Sequence, residues 1–148
     1  MKHKGECHCG KVKFQTDLDP MLVMTCNCTS CRKFVGSIAV RCIYASDEIE
    51  WTGDVVEYAY VGGSGGKLYT QHCPTCHVNV YITLDYMEGI TSVPLGMFDD
   101  PTLFKPKLEI FTQSKLDWVK DDGCIVNSVP DMGVQERLVA LLESLDNR

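Results

Sequence analysis

The alternation of polar and apolar residues predicts strands over most of the chain. In Lys11–Gln15 the two kinds of residue alternate, as they do in a strand with one buried face. Six further runs are rich in β-branched and aromatic residues, which favour strands. They are Ser37–Tyr44, Val55–Val61, Lys67–Gln71, Val78–Leu84, Ile90–Met97 and Leu108–Thr112. Clusters of glycine and aspartate between these runs indicate turns. We therefore predict a mainly β fold of twisted antiparallel sheets.

Helical spacing of apolar residues is clear only near the C-terminus. The residues that fall on one face there are Val134, Leu138, Leu141, Leu142 and Leu145. Asp131, which follows Pro130, suits the N-cap position because its carboxylate can accept from the free amides of the first turn. We predict a C-terminal helix over residues 132–146 with its apolar face packed in the core.

Length and composition favour one globular domain. The 148 residues are 45% hydrophobic and 23% charged, which suits a packed core over residues 5–118 within a single domain, 1–148. The net charge of -6 and the lack of a basic face exclude a nucleic-acid partner. No apolar stretch follows the first charged residues, and Met21–Met24 and Leu138–Leu142 are too short to span a bilayer. We expect a cytoplasmic protein without a membrane anchor.

The cysteines indicate metal binding rather than disulfides. The chain has nine, an odd number, and most lie in C-x-C or C-x2-C spacing. Disulfides are rare in a reducing cytosol, whereas thiolates at these spacings can reach one zinc ion. Cys42 lies in a strand-like run and Cys124 has no close partner, so we expect neither to bind metal.

The first predicted site combines Cys7 and Cys9 with Cys73 and Cys76. Each pair comes from one tight turn, and two such turns complete a tetrahedron of four thiolates. A zinc ion with four protein ligands has no open position and is structural.

The second predicted site is Cys26, Cys28 and Cys31. Three thiolates can hold one face of a zinc ion and leave a fourth position for an exchangeable ligand, as in reactive zinc sites. The same spacing also fits a second structural site, whose fourth ligand would be Cys42, Cys124, His8 or His72.

The charge of an open three-thiolate site decides its chemistry. Zinc with three thiolates carries a net charge of -1, so it activates water less than a three-histidine site does. It suits an incoming thiol held as thiolate, which favours carbon–sulfur chemistry over hydrolysis.

Together these residues resemble the glutathione-dependent formaldehyde-activating enzyme family, which includes the centromere-protein-V-like proteins. The resemblance rests on Gly5–Phe14, Cys26–Lys33, Cys73–Cys76, Asp99–Pro101 and Ser114–Lys115 with Trp118. It implies a β-tent fold and two zinc ions, one structural on the four-cysteine set and one reactive on Cys26, Cys28 and Cys31. The implied activity joins glutathione to formaldehyde as S-hydroxymethylglutathione, classed as a carbon–sulfur lyase for the reverse direction. The glutathione thiol would take the open zinc position and attack the aldehyde carbon.

The chain departs from the family's usual pattern in one place, and basic residues near the second cluster are candidates to bind glutathione. Family members usually carry glycine after each cysteine of the later pair, where this chain has Pro74 and His77. Arg32 and Lys33 adjoin the reactive cluster and are candidates to bind glutathione's carboxylates, with Arg41 or Lys67 as further candidates.

Other functions are compatible with the same sequence. A non-catalytic zinc module for protein interaction would have two closed zinc sites and an exposed apolar patch. A redox sensor would release zinc when the second cluster is oxidised. Exposed edge strands also allow a homodimer.

Overall fold

The computed structural model describes residues 2–148 and is mainly β, as predicted. Its two helices are α1 (Thr29–Val35) and α2 (Val134–Leu145). In chain order the strands are β1 (His3–Glu6), β2 (Lys13–Thr16), β3 (Leu22–Cys26), β4 (Ala39–Ala45), β5 (Glu50–Thr52), β6 (Val56–Val61), β7 (Lys67–His72), β8 (Asn79–Leu84), β9 (Ile90–Pro94), β10 (Leu108–Ile110) and β11 (Asn127–Ser128). Among residues 2–148, neither helix has the length and apolar character that a membrane crossing requires.

The strands form two sheets. The smaller sheet has the order β1-β2-β5 and is antiparallel throughout. The larger has eight strands in the order β11-β10-β3-β4-β9-β8-β7-β6. Its pairings are antiparallel except at one edge, where β10 runs parallel to both β3 and β11. The prediction of antiparallel sheets therefore holds for most pairs and fails at this edge.

Strand β3 was not predicted because it lacks alternation. All five of its residues, Leu22–Cys26, are buried. It is covered on both faces, and such strands show a continuous apolar run instead of a period of two. Its antiparallel register with β4 pairs Cys26 with Ala39, which places the cysteine at the end of the strand.

Two hydrophobic cores form, and each includes one cysteine cluster. The first contains Val12, Tyr44 and Val93 and includes Cys7 and Cys73. The second lies on the other part of the larger sheet. Its members include Met24, Ile43, Leu108 and Ile110 together with Cys26, Cys28 and Cys31. Most of the metal-binding candidates are therefore part of the packed interior, whereas Cys9 is exposed and Cys76 is half-buried.

Helix α2 is present, but it buries a different face from the predicted one. Of the predicted core residues, Val134, Leu138, Leu142 and Leu145 are 48–64% exposed. The side that packs inward consists of Arg137, Ala140, Leu141 and Ser144, which also share helical spacing. The prediction that the apolar stripe packs in the core is wrong.

The start of α2 also differs from the prediction. Gly133 is the N-cap residue, in a left-handed conformation with φ 58°. The Asp131 carboxylate accepts from the Gly133 N–H at 2.9 Å, so it stabilises the turn before the helix instead of capping it.

Candidate metal centres

The four-cysteine cluster is assembled from two turns that are distant in sequence. Cys7 and Cys9 follow β1, and Cys73 and Cys76 follow β7. The four Sγ atoms all lie within 4.8 Å of one another. The Cys7–Cys9 and Cys9–Cys73 sulfurs are each 3.6 Å apart. A tetrahedral zinc ion with Zn–S bonds of about 2.3 Å requires sulfurs about 3.8 Å apart, so the cluster fits zinc without rearrangement.

Backbone amides already favour thiolates in this cluster. The Val12 and Thr75 N–H groups donate to the sulfurs of Cys7 and Cys73 at 3.3 and 3.4 Å. Burial opposes ionisation of Cys7. The bond from Val12 and the contacts with the other three thiols outweigh burial and lower the pKa of Cys7 to about 6. At Cys9 the hydrogen bond from the Lys11 N–H lowers the pKa, but burial and the neighbouring thiols outweigh it and raise this pKa to about 11. Cys7 therefore already favours a thiolate, whereas Cys9 must lose a proton to bind a metal.

The turn after β7 that carries Cys73 and Cys76 contains a residue with a strained backbone conformation. His77 has φ 61°, in the left-handed region where glycine is normally found. Its N–H donates to the Cys73 carbonyl at 2.9 Å, which closes the turn around the cysteine pair. The turn thus has the left-handed conformation that glycine adopts most easily, although this chain has histidine there.

The three-cysteine cluster lies where β3 ends and α1 begins. Cys26 is the last residue of β3. Cys28 is the N-cap of α1, and its sulfur accepts from the Cys31 N–H at 3.3 Å. All three side chains are buried, and their Sγ atoms lie within 4.8 Å of one another. The tight strand-to-helix turn brings the three sulfurs together.

The three thiols of this cluster share their protons unequally. Contact with the Cys26 thiol, and then with the Cys31 thiol, lowers the pKa of Cys28. Contacts with the Cys28 and Cys31 thiols raise the pKa of Cys26. Contact with Cys26 lowers the pKa of Cys31, but Cys28 and burial outweigh it and raise this pKa to about 11. The three sulfurs therefore titrate as one coupled set, in which a single thiolate is favoured over two or three.

No fourth ligand of this chain joins the cluster. Among residues 2–148, the metal-binding groups that include these sulfurs contain only Cys26, Cys28 and Cys31. Cys42 belongs to the first core, and His72 contacts the Thr70 hydroxyl at 2.9 Å. His8 is exposed and Cys124 lies in a group with Asp121 and Asp122. The geometry thus leaves one position of a tetrahedral ion without a ligand from these residues.

A mainly apolar cavity of about 60 Å³ lies against the three cysteines. The polar side chains that line it include those of Tyr60, Arg41 and Arg137. Burial is the largest of the causes that raise the pKa of Tyr60, so its hydroxyl keeps its proton at neutral pH. Arg137 lies outside the predicted apolar face of the C-terminal helix, and no local signal in the sequence indicates that it faces a cavity.

The two basic residues predicted to bind glutathione do not line this cavity. Arg32 donates through Nη2 to the backbone carbonyls of Asn27, at 3.3 Å, and Ser114. It therefore ties α1 to neighbouring loops. Lys33 is exposed. Their role in binding glutathione stays a prediction.

Fold and clusters define a class of protein: a small β domain with one four-cysteine and one three-cysteine cluster, both suited to zinc. Comparison with protein families finds a match to "glutathione-dependent formaldehyde-activating enzyme" over residues 2–114. Because this match covers well over half of the chain, the protein belongs to that family, and the resemblance seen in the sequence is confirmed.

A solved structure supports the fold. The chain is similar to a Rhodobacter sphaeroides protein of known crystal structure, with a TM-score of 0.53 and 18% sequence identity. The similarity covers 84% of this chain and 98% of that chain. Comparison with curated proteins gives no match.

Proposed function

We propose that this protein joins a small thiol, glutathione or a related one, to a small aldehyde, using a zinc ion held by Cys26, Cys28 and Cys31. The observation that carries the proposal is the three-cysteine cluster itself, which faces a cavity and has no fourth ligand among residues 2–148. The reverse reaction would make the protein a carbon–sulfur lyase, as the family's named activity implies.

Zinc bound at this cluster would supply an exchangeable position where an incoming thiol is held as thiolate. The reaction forms one carbon–sulfur bond and converts the aldehyde C=O into C–O–H, with no oxidation or reduction. The proton that leaves the thiol ends on the aldehyde oxygen.

The chain's own residues support this reaction in two ways. The lining of the cavity is mainly apolar, with side chains such as Met24, Leu68 and Ile82, which limits water and therefore hydrolysis. Tyr60 lines the same space and keeps its proton, so its hydroxyl can donate a hydrogen bond to the aldehyde oxygen as negative charge develops there.

The experiment is native mass spectrometry of the zinc-loaded protein with and without glutathione, on the wild type and on Cys28→Ser. We expect two zinc ions and retained glutathione in the wild type. The variant should hold one zinc and no glutathione, with unchanged circular dichroism. Exchange between ¹³C-formaldehyde and its glutathione adduct, followed by NMR, should be faster with wild type than with Cys28→Ser. Glutathione retained by the variant at wild-type level would contradict the proposal.

The exposed side of α2 favours a second candidate, a zinc module that binds another protein. Leu138, Leu142 and Leu145 expose about half or more of their surface in one row. This candidate predicts that Cys28→Ser loses stability but that adduct exchange is no faster with wild type than in buffer.

A further inference from the structure

Two arginines are buried beside the three-cysteine cluster with unused hydrogen-bond donors. Arg41, on β4, is only 2% exposed; its Nη1 donates to Asn79 Oδ1 at 2.9 Å, while its enclosed Nη2 has no partner. Arg137, on α2, is 5% exposed. Within residues 2–148 its guanidinium forms no hydrogen bond and no ion pair. Buried guanidinium groups are normally paired with anions, so the enclosed and unpartnered Arg41 Nη2 is unusual, whereas the nitrogens of Arg137 are not fully enclosed.

Both arginines line the same cavity as Cys26, Cys28 and Cys31. No aspartate or glutamate lines it with them. Most of the remaining lining is apolar, and in such surroundings a positive charge attracts an anion more strongly than it does in water. Arg41 is close enough to Cys31 for its charge to favour the thiolate there. Arg137 has no carboxylate partner among the described residues, so its guanidinium is available to an anionic ligand.

The cavity limits the size of that ligand. Its volume is about 60 Å³. Pockets that enclose drug-sized ligands measure about 300–1,000 Å³, so this space encloses only a short part of a ligand, such as a thiol and one nearby carboxylate, and a longer thiol such as glutathione would extend out of it. A guanidinium group matches the two oxygens of a carboxylate in geometry as well as in charge.

We propose that the cavity binds a short-chain thiol that carries a carboxylate, with the thiol at the Cys26–Cys28–Cys31 site and the carboxylate at Arg41 and Arg137. The position of the thiol rests on the proposed function, whereas the carboxylate site rests on the two arginines alone. The arginines act as specificity-determining residues that select an anionic substrate.

The experiment compares two thiols of equal length, 3-mercaptopropionate and its neutral amide, 3-mercaptopropionamide. Each is titrated into cobalt-substituted protein, and binding is followed by the change in the visible absorption of cobalt. We expect the carboxylate to bind at least about tenfold more tightly, as charge-assisted hydrogen bonds indicate. The ratio of the two affinities should fall to about one in Arg137→Gln and in Arg41→Gln. Lys120→Gln removes one exposed positive charge outside the cavity and should keep the preference.

A second measurement tests the carboxylate site without a thiol. Propionate, but not propionamide, should raise the melting temperature of the zinc-loaded wild type and of Lys120→Gln, and should leave Arg137→Gln unchanged. If neither thiol alters the cobalt spectrum while propionate still stabilises the wild type, the proposed function fails and the anion site stands. Equal affinity for the two thiols, or no stabilisation by propionate, would overturn the anion site.

Discussion

The four-cysteine cluster joins segments that are far apart in the chain, and this predicts a large loss of stability when it is broken. Cys9 and Cys73 are separated by 64 positions. A cross-link that closes a loop of this length lowers the entropy of the unfolded chain by an amount equivalent to about 4 kcal/mol at 25 °C. Folded domains are stable by about 5–15 kcal/mol in total, so this link accounts for a large share.

The test is Cys73→Ala, with Cys42→Ala as the matched control. Both cysteines are 0% exposed and belong to the same core, but Cys42 is in no metal-binding group among residues 2–148. We expect Cys73→Ala to lose zinc and about 4 kcal/mol in the free energy of unfolding, near 10 °C in melting temperature. Cys42→Ala should lose about 1 kcal/mol and keep its zinc.

Urea denaturation followed by tryptophan fluorescence, with zinc measured on the same samples, gives both quantities. Equal losses in the two variants would refute the reasoning, because the cross-link would then contribute nothing beyond packing.

Four further predictions follow from local features. Zinc uptake by the second cluster should strengthen as pH rises, because Cys26 and Cys31 have raised pKa values, Cys31 to about 11, and bind zinc only after losing their protons. Release of two protons per zinc ion corresponds to a gain in zinc affinity of about 100-fold per pH unit. Calorimetry in buffers of different ionisation enthalpy should count the released protons. Release of no proton would contradict the assignment of Cys26 and Cys31 as zinc ligands. His77→Gly should stabilise the fold by about 1 kcal/mol in urea denaturation, since φ is 61° there; a loss would show that the imidazole makes essential contacts. Gly53→Ala should destabilise by about 2 kcal/mol or more, because φ is 96° and a Cβ would lie 2.1 Å from the Lys11 carbonyl oxygen; normal melting would disprove the clash. Leu142→Gln should change stability by less than about 0.5 kcal/mol because the side chain is 64% exposed, and a large loss would mean that this face is covered.

Sequence patterns could predict the strands whose two faces differ and the cysteines whose spacing is local. Strand β8, for example, has the burial alternation that its polar and apolar residues indicate. The parallel pairing of Leu108–Ile110 with Met24–Cys26 could not be predicted, because it joins segments more than eighty positions apart and depends on the whole sheet.

Of the two arginines of the cavity, Arg41 was a candidate from the sequence, whereas Arg137 was not. Arg41 comes from β4 and Arg137 from α2, and only tertiary packing brings them to one space. The helix in particular has more apolar residues than the core can accept, so the apolar pattern did not determine which side turns inward. Spacing along a chain reports residues that act together in one turn, but it does not report residues that meet across the fold.

The two cysteine clusters differ in their access to reagents, and this determines how the protein is damaged. Cys9 is exposed and Cys76 is half-buried, whereas Cys26, Cys28 and Cys31 are all buried. Since thiol modification requires access, an oxidant or alkylating agent reaches the four-cysteine cluster first. Modification of Cys9 would break the link between residues 9 and 73, so we expect chemical stress to unfold the protein before it reaches the three-cysteine cluster. Damaged molecules become substrates for proteolysis instead of persisting as folded, inactive copies.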